Sequence, residues 1–227
     1  MKKTEIKKIA VSAIIIALAF VVTMLTAPFK VQFLSLDLKD AILSVISLLF
    51  GPYYGVISVI AVSLLEFITI SSTGWYGLVM NIISSGTFAL TIGFIYKYKR
   101  SFSGAIIAAT CTVFAVTAVM LLANIFITPF YLETVVGVPA SKEVVRGMLP
   151  TVLLPFNLCK ALMNSAFTLL IYKPFTTALK KCGLVEVSSS SQYKFNLKTA
   201  LLTVISLIIV ICVLLYMVII LKLGVQA

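Results

Sequence analysis

The sequence has 227 residues, 61% of them hydrophobic and only 11% charged, against the roughly one-quarter charged residues of an ordinary soluble domain. Lys and Arg outnumber Asp and Glu by 18 to 7, for a net charge of +11, and there is no His. These values exclude a soluble globular enzyme, leave little basis for zinc, haem or imidazole acid-base chemistry, and point to an all-α, polytopic membrane helical bundle.

Apolar runs predict membrane spans at roughly 8–27, 41–50, 53–71, 77–97, 104–128, 150–173 and 198–221. The opening Met-Lys-Lys has the basic character of a signal peptide, yet the run after it is long and has no small-residue cleavage site, so it reads as a retained first helix. Within it Ala10, Ala13 and Ala17 form a small-residue stripe. Such a stripe lets a second helix approach closely; packing inside the bundle is the first explanation of it, and a partner protein is only suggested.

Between the first two spans, Phe33-Leu-Ser-Leu-Asp37-Leu-Lys-Asp40 alternates polar and apolar residues. It reads as a solvated loop, as a helix cap at Asp40, or as a short extended stretch lying over a pocket. Gly51-Pro52 breaks residues 41–71 into two helices. Glu66, near the end of the third span, is the one candidate for a proton-coupling acid, without an ordered relay of acids around it, and reads equally as a helix-end or pocket-rim residue. The loop Ser71-Ser-Thr73-Gly74-Trp75-Tyr76-Gly77 brings hydroxyls and two aromatics, which interfacial anchoring explains well.

Asn124 lies at the end of the fifth span, just before Thr128-Pro129-Phe130-Tyr131. Taken alone it bonds a neighbouring helix or binds a ligand. In the sixth span Lys160 follows Asn157 by three residues, placing both on one helix face. A charged ammonium within a span costs roughly 2.5–3.5 kcal/mol on insertion scales and marks a site rather than a lipid-facing position. Asn124, Asn157 and Lys160 fall at similar depth, and amides, an amine and many aromatics suit a flat, neutral to weakly anionic heterocycle. Cys111, Cys159, Cys182 and Cys212 are scattered without CxxC spacing, so neither a metal site nor a disulfide frame is expected.

Three segments result: 1–182 as a substrate-binding membrane domain, 183–197 as a polar, serine-rich linker, and 198–227 as an additional, almost uniformly aliphatic transmembrane helix. With the N-terminus in the cytoplasm, twelve basic residues fall inside (Lys2, Lys3, Lys7, Lys8, Lys97, Lys99, Arg100, Lys173, Lys180, Lys181, Lys194, Lys198) and five outside (Lys30, Lys39, Lys142, Arg146, Lys222). The positive-inside rule selects that orientation, in the cell membrane. Topology and attraction to anionic lipids explain the net charge without a nucleic-acid partner.

Taken in order, the Ala13-xxx-Ala17 helix, the 33–40 loop, Gly51-Pro52-Tyr-Tyr-Gly55-Val56, Ser72-Thr73-Gly74, Asn124-Ile-Phe-Ile-Thr-Pro129-Phe-Tyr131 and Pro155-Phe156-Asn157-Leu-Cys-Lys160 resemble the riboflavin-binding S components (RibU type) of energy-coupling factor transporters. The resemblance covers about residues 8–180. It implies a six-helix protein that captures riboflavin from outside and associates with a transmembrane coupling subunit and two cytoplasmic ATPases, with riboflavin as transported ligand and no cofactor of its own. The chain has no GxxxxGK[ST] pattern, so ATP hydrolysis falls to the partners. By position, Asn124, Asn157 and Lys160 match the family's ligand-binding polar residues, and the loop with Leu36, Asp37 and Asp40 matches the one covering the pocket. Thr73, Gly74 and Tyr131 lie in matching motifs and join them as candidate contacts, while Ala13 and Ala17 match the residues on which the coupling subunit packs. Three departures stand out: Val62-Ser63, with Glu66 after it, replaces a Lys-Asn pair of the third helix, the 36–40 loop reads Leu-Asp-Leu-Lys-Asp where a Ser commonly precedes the second Asp, and the last helix lies beyond the usual six. The other readings are an S component for folate, pantothenate or a thiamine precursor, a self-sufficient secondary transporter, and an intramembrane enzyme with Lys160 as base.

Overall fold

A computed structural model describes residues 3–28, 30–31, 34–137, 142–181 and 197–224. Phe33, Cys182 and all of the 183–197 linker but Leu197 lie outside the described residues. The architecture is all-α: α1 Lys3–Thr26, a minimal hairpin of β1 Lys30–Val31 and β2 Leu34–Ser35, α2 Lys39–Phe50, α3 Pro52–Thr69, α4 Gly74–Tyr98, α5 Phe102–Tyr131, α6 Lys142–Met148, α7 Leu154–Lys181 and α8 Leu197–Gly224. Single π-helical turns at Leu132–Val136 and Leu149–Leu153 extend α5 and lead into α7. Among the described residues, five helical stretches are long and apolar enough to cross a membrane: Glu5–Thr26, Pro52–Thr69, Gly74–Tyr98, Ser103–Val136 and Lys142–Leu179. The protein is a multi-pass membrane helical bundle.

The helix between the first and third spans differs from its neighbours. At 12 residues, α2 is about 18 Å long and falls short of a hydrocarbon core of about 30 Å. It is enclosed instead, packed on α1, α3, α4 and α7, and every residue from Lys39 to Leu48 is buried. Gly51, at φ 103°, turns the chain in a left-handed conformation that only glycine takes readily. Pro52 then starts α3 at a position where no N–H is missed.

Two apolar cores flank α2. Val11, Ile15 and Ala19 of α1 meet Ile42, Val45 and Ile46 of α2 and Val59 and Val62 of α3. On the other side Leu48 joins Phe88 and Ile92 of α4, Val113 and Val116 of α5, and Ala161 of α7. Helices α3, α4, α5 and α7 pack as successive neighbours, and α8 packs on the far side of α7.

Of the alternatives for the 33–40 segment, the helix cap at Asp40 is not what the structure has. Helix α2 begins at Lys39, its N-cap residue is Leu38, and no side chain of the cap bonds the helix end. The capping group comes from another helix: Asn164 of α7 accepts the Ala41 N–H at 3.0 Å and donates to the Asp37 carbonyl at 2.8 Å. A long-range amide thus satisfies backbone groups that a local Asp or Ser would otherwise serve.

Candidate functional site

A cavity of about 150 Å³ opens at the end of the bundle that carries the 70–73 loop. One wall is the stretch Leu34, Ser35, Leu36 and Asp37, formed by β2 and the two residues after it, the segment that corresponds to the expected cover. Helix α3 contributes Ser63, Glu66 and Phe67, and α4 contributes Tyr76, Met80, Asn81 and Ser84. Met120, Ile127, Thr128 and Tyr131 come from α5, and Phe156, Asn157 and Lys160 from α7. Four aromatic rings therefore face one space, with Tyr76 and Tyr131 held edge to face at 5.9 Å, a geometry that offers flat surfaces for stacking.

Two buried ion pairs organise the polar walls. Lys160 Nζ bonds Asp37 Oδ2 at 2.7 Å and reaches the Ser35 carbonyl at 3.4 Å, tying the cover to α7. Burial by itself raises the Asp37 carboxyl, but Lys160 and Lys39 beside it outweigh that and hold it below the usual carboxylate range. Asp37 therefore stays anionic and available to the lysine.

The second pair joins Lys39 to Glu66, with Nζ at 2.8 and 2.6 Å from the two carboxylate oxygens. Asn81 Nδ2 adds a third bond, to Oε2 at 2.8 Å. Lys39 is 1% exposed and Glu66 5%. The sequence had placed Lys39 among the outer solvated cations; instead it is buried, because a carboxylate on the adjacent helix lies within bidentate reach. Together with Asp40, buried in the first turn of α2, the five ionisable groups comprise three acids and two lysines.

Of the residues singled out from the sequence, the structure brings Leu36, Asp37, Thr73, Tyr131, Asn157 and Lys160 together around the cavity. Three others are placed elsewhere. Asn124 is fully buried and engaged within α5, donating to the Met120 carbonyl at 2.7 Å and accepting from Thr128 at 2.8 Å; its two partners line the cavity while it stands behind them. Asp40 lies in the first turn of α2 beneath the cover, and Gly74 opens α4 with φ 57°, neither of them on the cavity wall. Asn157 uses one N–H on the Leu153 carbonyl at 2.7 Å.

Asn81, Asn164 and Lys39 were not singled out. Asn164 had a signal, since it follows Asn157 and Lys160 on the same face of α7 at seven and four residues. Asn81 is an amide within an apolar span, which is itself a functional flag.

On α1, Ala13 and Ala17 are both exposed, away from Val11, Ile15 and Ala19, which face the core.

A family model described as the substrate-specific component of ECF transporters matches residues 7–172. Riboflavin transporter RibU of Staphylococcus aureus (strain TCH60) is 26% identical over 178 residues, covering 77% of this chain and 93% of its own. Riboflavin transporter FmnP of Bacillus subtilis (strain 168) is 25% identical over 173 residues, covering 74% and 91%. The solved structure of the S component of a bacterial ECF transporter aligns with a TM-score of 0.61 at 28% identity, over 78% of this chain and 99% of its own. With this bundle, a cavity at one end and a family match over most of its length, the chain belongs to the substrate-specific components of ECF transporters.

Proposed function

We propose that this subunit captures riboflavin from outside the cell and delivers it inward when partner subunits hydrolyse ATP. The observation that carries the reading is the cavity itself. Aromatic walls from four helices enclose it, and a lysine on α7 is hydrogen-bonded to the segment that covers it. The two relatives named riboflavin transporters, which this chain matches over nine-tenths of their length, favour a flavin over another vitamin.

In this reading the isoalloxazine ring stacks among Phe67, Tyr76, Tyr131 and Phe156, and its polar edge is read by Asn157 and Lys160. Leu36 and Asp37 close over it, with Thr73 at the rim. Asn124 acts through Thr128 by orienting its hydroxyl, and Asp40 and Gly74 support the cover and the 70–73 loop. Two carboxylates, Asp37 and Glu66, line the cavity against one lysine, Lys160, a balance that favours the uncharged vitamin over its phosphate. The distribution of basic residues supports an N-terminus in the cytoplasm, which in this reading turns the cavity toward the outside. The exposed Ala13 and Ala17 then offer a close-packing face to the transmembrane coupling subunit, through which two cytoplasmic ATPases act.

Purification in detergent from cells grown with riboflavin tests this. A stoichiometric flavin absorption band, with flavin fluorescence released on denaturation, supports the reading. A colourless protein that also fails to quench added riboflavin overturns it.

A further inference from the structure

Helix α8 lies beyond the residues that the family model matches, and its seat in the bundle is specific. Ser206, Val210 and Val213 are buried at the spacing of a single helix face, and α8 packs on α7. Leu201, Val204, Ile208 and Ile211 stay exposed, as suits a helix with lipid on its other side.

What α8 reaches past α7 is the cover. Val213 is buried in one cluster with Leu36, Phe156 and Met163, with Ile209 of α8 and Leu34 and Leu38 packed on its edge. Helix α8 also contacts β1, the strand paired with β2. Leu34, Leu36 and Phe156 are cavity-wall residues. The cover is therefore gripped from two sides: by Lys160 on Asp37 from α7, and by the apolar edge of α8 from behind.

We propose that α8 is a brace that holds the 34–38 segment shut and so sets the rate at which ligand enters and leaves the cavity. Lifting the segment separates Leu36 from Val213 and forfeits close side-chain packing, the contribution that holds helices together where lipid surrounds them. Val213 and Ile209 are positioning residues, acting on the ligand through Leu36. The proposal rests on the reading of this cavity as the ligand site.

The test uses the full chain with Ile209→Ala and Val213→Ala together, Val213→Ala alone as a milder variant, and Ile208→Ala with Ile211→Ala as a control on the exposed face. Amide hydrogen exchange across 34–38 in the unliganded protein reads the cover directly, and loss of flavin quenching after dilution reads release. Expected for the double variant is faster exchange at 34–38 and riboflavin release faster by on the order of tenfold, with association also faster and the equilibrium constant changed less than either rate. The single variant moves in the same direction, and the control matches the parent. Exchange and release rates equal to the parent's in a folded Val213→Ala protein overturn the brace. If the parent itself fails to bind riboflavin, the assigned ligand is wrong, and hydrogen exchange at 34–38 still decides whether α8 holds the cover.

Discussion

Lys39 and Glu66 show how costly charges persist inside this bundle. Neither is solvated, and each is tolerable only because the other lies within 2.8 Å. Removing one partner strands a buried charge, which typically costs about 3–5 kcal/mol, whereas replacing both by apolar groups of similar size is often neutral. Glu66→Met is therefore expected to lower the detergent unfolding temperature sharply, and Lys39→Met with Glu66→Met to restore most of it, as thermal unfolding of the two variants and the parent will report. Lys160, unlike Lys39, lines the cavity. Its truncation is expected to release the cover and weaken ligand binding by about 1–3 kcal/mol, measured by fluorescence titration.

The element scale is governed by long-range support. Helix α2 begins without a local cap and depends on Asn164. Asn164→Leu, similar in size, leaves the Ala41 N–H and the Asp37 carbonyl without their amide partner. A loss of about 1–3 kcal/mol follows for orphaned buried groups, visible as faster hydrogen exchange at the start of α2. Two glycines of α4 make a contrasting pair. A Cβ on Gly93 would stand 2.9 Å from Pro52 Cα, whereas on Gly86 it meets nothing within 4 Å. Gly93→Ala should push α4 from the start of α3, at about 1–3 kcal/mol as for other overpacked sites. Gly86→Ala should be neutral or stabilising by up to about 1 kcal/mol, and unfolding midpoints of the two variants decide.

The same elements show what a reader of the chain alone can recover. The long spans were legible because apolar runs near 20 residues have one stable arrangement in a bilayer, and the break at Gly51-Pro52 because glycine and proline restrict the backbone in known ways. Lys160 and Asn157 stood out as polar groups in apolar surroundings. Lys39 did not, since a lysine beside a loop is usually solvated; only the approach of α3 to α2 reveals that Glu66 waits for it. Asn124 was legible as buried and polar, but whether its amide faces a cavity or its own helix depends on rotamer and neighbours, and here Met120 and Thr128 hold it within α5.

At the scale of the molecule, the proposed function divides between two regions. One end of the bundle holds the cavity, the segment lining it and the paired charges; the alanine face of α1 is exposed, and in the proposed reading it is where the coupling subunit packs. That separation gives a distinct expectation: Ala13→Leu with Ala17→Leu should abolish ATP-driven uptake in cells carrying the partner subunits while leaving riboflavin binding by the purified chain unchanged. Uptake assays and binding titrations on the same variant read the two halves apart. The central claim, that the covered cavity is the riboflavin site and that α7 reads the ligand, is tested most directly by titrating riboflavin fluorescence against the purified parent, Asn157→Ala and Lys160→Ala. The expected result is stoichiometric quenching by the parent and affinity weakened by roughly 5- to 150-fold in each variant, the equivalent of one to three kcal/mol. Wild-type affinity in both folded variants would contradict the account.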